Sequence, residues 1–435
     1  MSRTEQAVTS ASLASKDADA AALGLLVKMS ARKRRLIRVI DAIARPIVRV
    51  LTKLGYCPAS AATEVGSILL LEYWNLGDIV MESPFVQNVR INYPNARIVL
   101  LTSPKAAPLL ENQGLVNEVI TVRVPWAQHY SRWRKYNPFS PLWIELLRTL
   151  RFLHAQHFDL AFTARADIRE NCILWLAEIR RRVGYALGGG GYFLTDIVAP
   201  DLEHPHFAVR WLRLLEHLGR PILVRQPSLS VSREEERVAE QYLAERGIQG
   251  QDFLVGFHPG ARSVTRQWGE ENFAVVAQRL RAQYPVKILW FRDPSQERSV
   301  EGTDDFIPLS LPLRQFMAVL KRCRLFICND SGPMHISTAL GVPVVAVFGP
   351  TAPMWFGPIG PDNRIVIQSG FWCRPCFDYC LFDQPYCLRT INVDSVYNAA
   401  IEALNVMLPK TTQRAIKEGP TCRIKEAEET GIRSA

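Results

Sequence analysis

Two series of short apolar segments, each alternating with helical stretches, constrain the fold of this chain most strongly. Eight buried strands are predicted at residues 67–72, 97–102, 118–122, 158–163, 253–257, 286–291, 325–328 and 342–348. Strands that alternate with helices form mostly parallel sheets. The sequence therefore predicts an α/β fold of two doubly wound, Rossmann-like domains, with ligands bound at the carboxyl ends of the strands in a cleft between them.

The domain boundaries follow from where the periodicity fails. Residues 221–233 carry Pro221 and Pro227 and lack strong periodicity, so they are predicted as the linker. The predicted divisions are a tail plus a basic helix over 1–60, an N-terminal domain over 65–222, a C-terminal domain over 234–395, a C-terminal helix over 394–409 that could cross back to the first domain, and a tail over 410–435. Within the first division, residues 1–24 are predicted to be disordered.

The surplus positive charge is concentrated in residues 25–54. They hold nine Lys and Arg against Asp41, which gives +8 of the chain's net +10. On a helical wheel, one face within about 60° either side of a line is apolar, and most of the arginines lie on the opposite half. The apolar residues are Leu36, Val39, Ile40, Ile43, Ile47, Val50, Leu51 and Leu54. Such a helix suits an anionic membrane surface. The alternative is that it docks on the body of the protein with its apolar face inward.

Charge and hydropathy also set the expected compartment. No apolar run reaches the roughly 18–20 residues of a membrane-spanning helix, and the N-terminus is a poor signal peptide. Nine cysteines, an odd and partly scattered set, fit a reducing compartment. We therefore expect a cytoplasmic protein that is peripheral on the inner face of a membrane. Charge concentrated in one amphipathic segment argues against nucleic-acid binding.

The strongest local signal is the segment 328–351. A strand ends at Cys328, and Asp330, Ser331 and Gly332 form a polar turn that opens a helix. The side chain of Ser331 or Asp330 could cap this helix. A helix start offers free N–H groups to a diphosphate. The next strand runs into a second small-residue turn, which contains Gly349 and Thr351. Either turn alone is ordinary in an α/β domain, but both together, with His335 on the helix, indicate a phosphate site.

Two further turns carry candidate chemistry. Asp78 follows Gly77 directly after the first strand, where its carboxylate is either a helix cap or a general base. Gly260, Arg262 and Arg266 follow the strand 253–257 and offer cations to phosphate oxygens. A solvated loop is the alternative for this second turn.

These motifs together resemble glycosyltransferase family 9, the heptosyltransferases of lipopolysaccharide core assembly, over roughly residues 65–405. The residues that carry the resemblance are Gly77-Asp78, the stretch 258–268 with Glu271-Asn-Phe273, Asp330-Ser-Gly-Pro-Met-His335, and Phe348-Gly-Pro-Thr351. The resemblance implies a GT-B fold, an acceptor on the N-terminal domain and a donor on the C-terminal domain. It also implies inverting, metal-independent transfer from an ADP-sugar, usually ADP-heptose.

The resemblance also implies residue roles. Asp78 matches the catalytic base, Asp330, Ser331 and Gly332 match the donor-binding turn, and Arg266 stands where the family often has a diphosphate-binding lysine. The turn 291–297 departs from the family pattern, and Glu297 could there hydrogen-bond the ribose. The alternatives are a nucleotide-sugar-binding protein without activity and a transferase of another hexose.

For the acceptor, a basic loop with aromatic neighbours suits a phosphorylated glycolipid. The candidate contacts are Gly77, Arg132, Arg134, Lys135 and Arg165. Arg165 ranks first because it follows the strand that ends at Thr163. A merely solvated basic loop is the alternative.

Four cysteines are closely spaced as Cys373-x2-Cys376-x3-Cys380-x6-Cys387. Four thiolates could bind a structural zinc ion tetrahedrally. An iron–sulfur cluster, a local disulfide and reduced thiols stay open, and the spacing is not that of the common zinc ribbons. No cofactor is expected to be required for catalysis.

Overall fold

The computed structural model describes residues 31–57, 64–111, 113–127, 132–292, 306–377 and 379–407. The chain forms two compact units, divided between Leu229 and Ser230, inside the segment predicted as the linker. The tails predicted at 1–24 and 410–435 lie outside the described residues. The two units are described separately below.

The first unit is built on a six-stranded parallel sheet with the order β3-β2-β1-β4-β5-β6. The strands are β1 Ser67–Leu71, β2 Arg97–Thr102, β3 Glu118–Thr121, β4 Leu160–Thr163, β5 Arg181–Gly184 and β6 Asp196–Ile197. The helices are α1 Ala31–Lys53, α2 Leu76–Asn92, α3 Arg132–Tyr136, α4 Pro141–Ala155, α5 Ile168–Leu176 and α6 Phe207–His217. Since β1 pairs with both β2 and β4, the strand order reverses there and a topological switch point lies between β1 and β4.

The second unit repeats this plan with the strand order β12-β11-β10-β7-β8-β9, again all parallel. The strands are β7 Phe253–His258, β8 Val286–Phe291, β9 Ile307–Leu309, β10 Leu325–Asn329, β11 Val344–Phe348 and β12 Arg364–Ile367. The helices are α7 Arg233–Ala244, α8 Glu270–Gln283, α9 Leu313–Lys321, α10 Gly332–Ala339, α11 Pro353–Phe356, α12 Tyr386–Arg389 and α13 Val393–Met407. Its switch point lies between β7 and β10.

Helices cover both faces of each sheet, which is why the central strands are nearly continuous apolar runs. In the first unit, the Phe85 ring of α2 packs against Phe162 of β4 and Trp211 of α6, with ring centres 5.1 and 4.9 Å apart. In the second unit, Trp290 stacks on Phe257 and Phe306 at 5.6 and 5.2 Å. Each buried aromatic side chain contributes on the order of 1.5–3 kcal/mol to folding.

All eight predicted strands are confirmed, each within two residues at either end. The structure adds β5, β6, β9 and β12, which are only two to four residues long. Such short strands contain too few residues to show a clear apolar pattern, and pairing with a longer neighbour defines them.

Helix α2 contains a proline in its interior. It begins at Leu76, two residues before Asp78, and continues through Pro84. Pro84 has no N–H for the carbonyl of Val80, and the Ser83 hydroxyl donates to that carbonyl instead, at 2.8 Å. A side-chain hydrogen bond therefore keeps the helix intact across the proline.

The C-terminal helix α13 packs on its own unit. Val396, Tyr397, Ala400, Ala403 and Leu404 are buried in the core formed by α8 and strands of the second sheet. The sequence left open that this helix crosses back to the first domain, and its buried face is instead occupied by the second unit. An apolar stripe in the sequence predicts that one face of a helix is buried, but it does not predict which domain buries that face.

Helix α1 docks on the first unit through a narrow strip. Ile37 and Val48 are buried, and Asp41 accepts a hydrogen bond from the Gly190 N–H at 3.1 Å. Val48 packs with Trp175 and Phe193. The broader apolar face is turned about 100° away from this strip, and it is exposed at Leu36, Val39, Ile40, Ile43, Ile47, Val50 and Leu54. The alternative that the apolar face points inward is therefore wrong for these residues.

Candidate active site

Asp78 lies just beyond the carboxyl end of β1, at the switch point of the first sheet. Asn75 occupies the N-cap position of α2, so Asp78 is the third residue of the helix and not its cap. Its Oδ2 atom accepts hydrogen bonds from the Asn75 backbone N–H at 3.0 Å and from Asn75 Nδ2 at 2.9 Å. All hydrogen bonds to this carboxyl group from the described residues reach Oδ2, and none of them reaches Oδ1.

Arg165, just beyond the end of β4, is directed at Asp78. Its Nη2 lies 2.5 Å from Asp78 Oδ2, and its Nε lies 3.4 Å from Glu72 Oε2. The guanidinium carbon is 5.0 Å from the centre of the Trp74 ring and 4.6 Å from that of Phe207. Although burial lowers the pKa of Arg165, the charges of Asp78 and Glu72 raise it above its usual value. The residue ranked first as an acceptor contact thus holds the candidate base.

Three buried carboxyl groups around Arg165 were missed by sequence reasoning. Burial raises the pKa of Glu72 to about 8, and the charges of Asp78 and Glu170 add to the effect. Burial and the charge of Asp167 raise the pKa of Glu170 to about 7. Glu82 is fully buried, and neither carboxyl oxygen has a hydrogen-bond partner among the described residues. Its pKa is well above the usual range because of burial and the charges of Glu72 and Asp78.

Two sequence signals could have drawn attention to this acidic cluster. Glu72 ends an otherwise apolar strand segment, and a charged residue there faces the site side of a parallel sheet. Glu82 stands four residues after Asp78 on α2, hence on the same face of the helix. Glu170 gave no comparable signal, because it reaches the cluster only through the packing of α5.

Three turns of the second unit are joined by two adjacent side chains at the end of β10. Asn329 Nδ2 donates to the Pro259 carbonyl at 2.6 Å, and Asn329 Oδ1 accepts from the Trp268 N–H at 3.1 Å. Asp330 Oδ2 accepts a hydrogen bond from the Thr351 hydroxyl and lies 3.4 Å from Arg266 Nη1. The segments 258–268, 329–332 and 348–351, predicted separately as donor elements, therefore meet at one edge of the second sheet.

Helix α10 starts at this edge, and the side chain at its N-cap position does not cap it. Ser331 occupies the N-cap position, but its hydroxyl donates to the Asn329 carbonyl at 3.2 Å and makes no capping hydrogen bond. The prediction that Ser331 or Asp330 caps the helix is therefore wrong for Ser331, and the Asp330 carboxyl group contacts Thr351 and Arg266. Gly332 begins the helix, and His335 is buried one turn later.

Comparison with known proteins decides the family. Residues 146–386, which are 241 of the 435 residues, match the model of glycosyltransferase family 9 (heptosyltransferase). The chain belongs to glycosyltransferase family 9. It is therefore a glycosyltransferase, and the predicted resemblance is confirmed.

Relatives and solved structures agree with the family 9 assignment. Lipooligosaccharide heptosyltransferase 2 of Haemophilus influenzae is 23% identical over 319 residues, which are 69% of this chain and 88% of that protein. A family 9 glycosyltransferase from Veillonella parvula has a TM-score of 0.66 and 23% identity, over 80% of this chain and 99% of its own. The E. coli heptosyltransferase WaaC, solved with ADP-2-deoxy-2-fluoro heptose, has a TM-score of 0.60 and 16% identity, over 77% of this chain and 99% of its own. The predicted GT-B fold is confirmed.

Gly349 of this family 9 chain is constrained by packing. A Cβ atom added there would lie 2.4 Å from Leu388 Cγ. The backbone N–H groups of Cys376 and Phe377 donate to the Pro350 carbonyl at 2.9 and 3.0 Å. The cysteine-containing segment is thus hydrogen-bonded to the turn 348–351. Gly349, predicted as part of a phosphate-binding turn, is also needed because a side chain there would collide with Leu388.

The remaining predicted donor and acceptor residues are only partly brought together. Gly260 and the exposed Arg262 lie on the loop after β7, and Glu297 lies outside the described residues. Gly77 is buried in the first turn of α2, beside Asp78. Arg132, Arg134 and Lys135 lie on the short helix α3, whose exposed neighbours include Trp133, Tyr136 and Phe139.

The cysteine segment was predicted as a candidate zinc site. Among the described residues, which include Cys373, Cys376, Cys380 and Cys387, no group of three or more His, Cys, Asp or Glu side chains is placed to hold a metal ion. Cys376 and Cys387 are buried, and Cys373 and Cys380 are partly exposed. Four thiolates are a suitable donor set for zinc, but the described residues do not bring them together as a tetrahedral site. In the described part of the chain, no helix has the length and apolarity needed to span a bilayer.

Proposed function

We propose that this chain transfers heptose from ADP-heptose to a lipopolysaccharide core or related phosphorylated glycolipid, with inversion and without a catalytic metal ion. The placement of Asp78 carries the proposal: a buried carboxyl group has one oxygen fixed by Asn75 and Arg165 and the other unengaged by the described residues. The names of the relatives support heptose as the sugar. The WaaC structure, named for its ADP-heptose analogue, supports ADP as the nucleotide.

In the proposed reaction, Asp78 is the general base. Its Oδ1 takes the proton of the acceptor hydroxyl while that oxygen forms a bond to the anomeric carbon of the heptose. The bond between the anomeric carbon and the diphosphate oxygen breaks on the opposite face, and ADP leaves with the bonding electrons. One displacement from the opposite face inverts the configuration.

The leaving diphosphate gains negative charge as its bond breaks, and the second unit carries the groups to stabilise it. We propose that the N–H groups at the start of α10, near Gly332, and the Arg266 guanidinium bind the diphosphate oxygens. Gly260, Arg262, Ser331, His335, Gly349 and Thr351 remain proposed donor residues, and Glu297 is proposed for the ribose. Asp330 repels phosphate, so we assign it the positioning of Arg266 and Thr351.

For the acceptor, Arg134 and Lys135 of the exposed helix α3 are proposed to bind phosphate groups. Arg132 and Gly77 are also proposed to contact the acceptor, Gly77 through its backbone next to Asp78. We propose that Arg165 acts on the acceptor indirectly, by orienting Asp78, because its guanidinium is paired with Asp78 and Glu72. The exposed aromatic side chains of Trp133 and Tyr136 flank this basic surface.

Nucleotide screening tests the donor assignment. A ligand that binds only the folded state raises the melting temperature. At 100 times its Kd, it adds about 2.7 kcal/mol to the free energy of unfolding. We expect ADP and ADP-heptose to raise Tm more than UDP, GDP and their sugars. Mass spectrometry of the products should show one heptose added to heptose-deficient lipopolysaccharide.

The alternatives predict other outcomes in the same experiment. Stabilisation by ADP-heptose with no transfer to any core acceptor would favour a nucleotide-sugar-binding protein without activity. Selective stabilisation and turnover with a UDP- or GDP-hexose would favour a transferase of another hexose, and would contradict the ADP-heptose assignment.

We further propose that α1 holds the protein on the cytoplasmic face of the inner membrane. Its exposed apolar face carries seven large side chains, while the docked strip that includes Ile37 and Val48 leaves that face uncovered by the described residues. Arginines beside this face would contact anionic headgroups. A surface of this kind brings the enzyme to a lipid-anchored acceptor.

Substitution on the exposed face tests the membrane proposal without disturbing the docked strip. We expect Ile43→Asp combined with Ile47→Asp to lower binding to vesicles containing phosphatidylglycerol by about tenfold or more, because each removes apolar area from the membrane contact. Co-sedimentation measures it. Leu147→Asp, at an exposed apolar position of α4, is the matched control. Unchanged binding of the double variant would contradict the proposal.

A further inference from the structure

We propose that Glu72 is a positioning residue for Asp78: it shares the Arg165 guanidinium with Asp78, and its charge decides how firmly that guanidinium is held on Asp78. This inference rests on the proposed role of Asp78 as the base. Glu72 is fully buried at the end of β1 and belongs to none of the predicted site residues.

The two carboxyl groups meet Arg165 from different sides. Arg165 Nη2 is 2.5 Å from Asp78 Oδ2, whereas Arg165 Nε is 3.4 Å from Glu72 Oε2. The guanidinium is therefore closer to Asp78 in this structure, with Glu72 as a second, weaker partner. The other oxygen of Glu72, Oε1, accepts a hydrogen bond from the Trp74 N–H at 3.0 Å.

Trp74 confines the guanidinium to these two partners. Its indole Nε1 donates to Glu170 Oε1 at 2.7 Å, and Glu170 Oε2 accepts from the Thr163 hydroxyl at 2.5 Å. The indole is thus held at its backbone by Glu72 and at its ring by Glu170. Since the guanidinium lies over this fixed ring and over Phe207, its remaining freedom is to lean towards one carboxyl group or the other.

The charges around Glu72 determine which partner is favoured. Glu72 faces Asp78 and Glu82 of α2, Glu170 of α5 and Arg165 beyond β4, and Arg210 of α6 in turn faces Arg165. Burial, with the neighbouring negative charges, raises the pKa of Glu72 to about 8. Below that pH Glu72 is largely neutral and leaves Arg165 to Asp78. Above it the ionised Glu72 draws Arg165 away, and the Asp78 carboxyl group loses its fixed orientation.

The pH dependence of kcat/KM tests this role, because kcat/KM reports ionisations of the free enzyme. We expect kcat/KM of the wild-type protein to fall as pH rises through about 8. Glu72→Gln should lose this fall, because the amide cannot ionise. At neutral pH this variant should keep kcat/KM within about twofold of wild type, because a neutral Glu72 already leaves Arg165 to Asp78. A residue that only maintains the fold would not remove an alkaline limb.

Glu82→Gln is the matched control. Glu82 is equally buried and belongs to the same cluster, but no hydrogen bond or ion pair joins it to Arg165 or Trp74 among the described residues. The alkaline fall should therefore persist in this variant. If Glu72→Gln does not fold, Arg165→Lys serves instead, because an ammonium group cannot bridge two carboxyl groups as the planar guanidinium does, and it should also lose the fall.

Several outcomes would overturn the inference. An alkaline fall that persists in Glu72→Gln or in Arg165→Lys would show that Glu72 does not control Arg165. A loss in Glu72→Gln at neutral pH as deep as that of Asp78→Asn would make Glu72 a catalytic residue. Full activity of Asp78→Asn would instead remove the base from the proposed function, whereas an inactive Asp78→Asn with an unchanged Glu72→Gln profile would remove only the positioning role.

Discussion

Replacement of Asp78 by Asn is expected to lower kcat by roughly 10²–10⁴-fold, the usual contribution of a positioned general base. The amide has nearly the shape of the carboxyl group, and its oxygen can still accept the hydrogen bonds that Asn75 donates to Oδ2. It cannot take the proton of the acceptor hydroxyl. Steady-state transfer of heptose measures kcat, and calorimetry should give an ADP affinity within about twofold of wild type, because the proposed donor residues lie in the second unit.

Asp159→Asn is the matched control for this variant. Asp159 is a carboxyl group at the opposite, amino end of β1, where Oδ2 accepts hydrogen bonds from the backbone N–H groups of Gly66 and Ser67, both at 3.0 Å. Loss of the Asp159 charge should lower Tm, because these hydrogen bonds stabilise the start of the strand. It should leave kcat within a few-fold of wild type. Turnover of Asp78→Asn at the control level would remove Asp78 from the mechanism.

Replacement of Arg266 by Ala is expected to weaken ADP binding by roughly 10–100-fold, since a charge-assisted hydrogen bond contributes about 1.5–3 kcal/mol. Arg266 is half-buried, and its Nη1 lies 3.4 Å from Asp330 Oδ2. Arg266→Lys should retain much of the affinity, because the positive charge is kept and only its reach changes. Titration calorimetry with ADP measures the change, and adenosine, which has no phosphate, should bind all three proteins equally.

A double-mutant cycle separates Arg266 from Asp330. If Asp330 acts by orienting Arg266, Asp330→Asn should weaken ADP binding in the wild-type background and much less in the Arg266→Ala background. Equal losses in both backgrounds would show that Asp330 acts through Thr351 or by direct contact. Adenosine binding weakened as strongly as ADP binding would contradict a diphosphate role for Arg266.

Much of the fold could be predicted from periodicity. The strands 97–102 and 286–291 were predicted at the residues where the structure has them, because a strand buried on both faces is apolar throughout its length. The path of α2 through Pro84 needed the structure. Proline lacks the N–H group of a helix interior, and only the hydrogen bond from the Ser83 hydroxyl to the Val80 carbonyl shows how the helix continues.

The candidate site divides in the same way. Gly77-Asp78, Arg266 and Asp330 were found because small residues and charges follow apolar strands at recognisable spacings. The partners of these residues were not found. Arg165 was predicted as an acceptor contact and is paired with Asp78 and Glu72, and Glu170 reaches Trp74 across 96 positions of the chain.

The sequence by itself determined the alternation of strands and helices, the family, and the turns that carry Asp78 and Asp330, since each of these depends on residues close together in the chain. Tertiary structure alone decided three other features: the exposure of the apolar face of α1, the attachment of the cysteine segment to Pro350, and the assembly of Glu72, Glu82 and Glu170 around Arg165. The physical reason is that burial and charge pairing depend on neighbours in space. The parallel sheet brings those neighbours together from strands far apart in sequence.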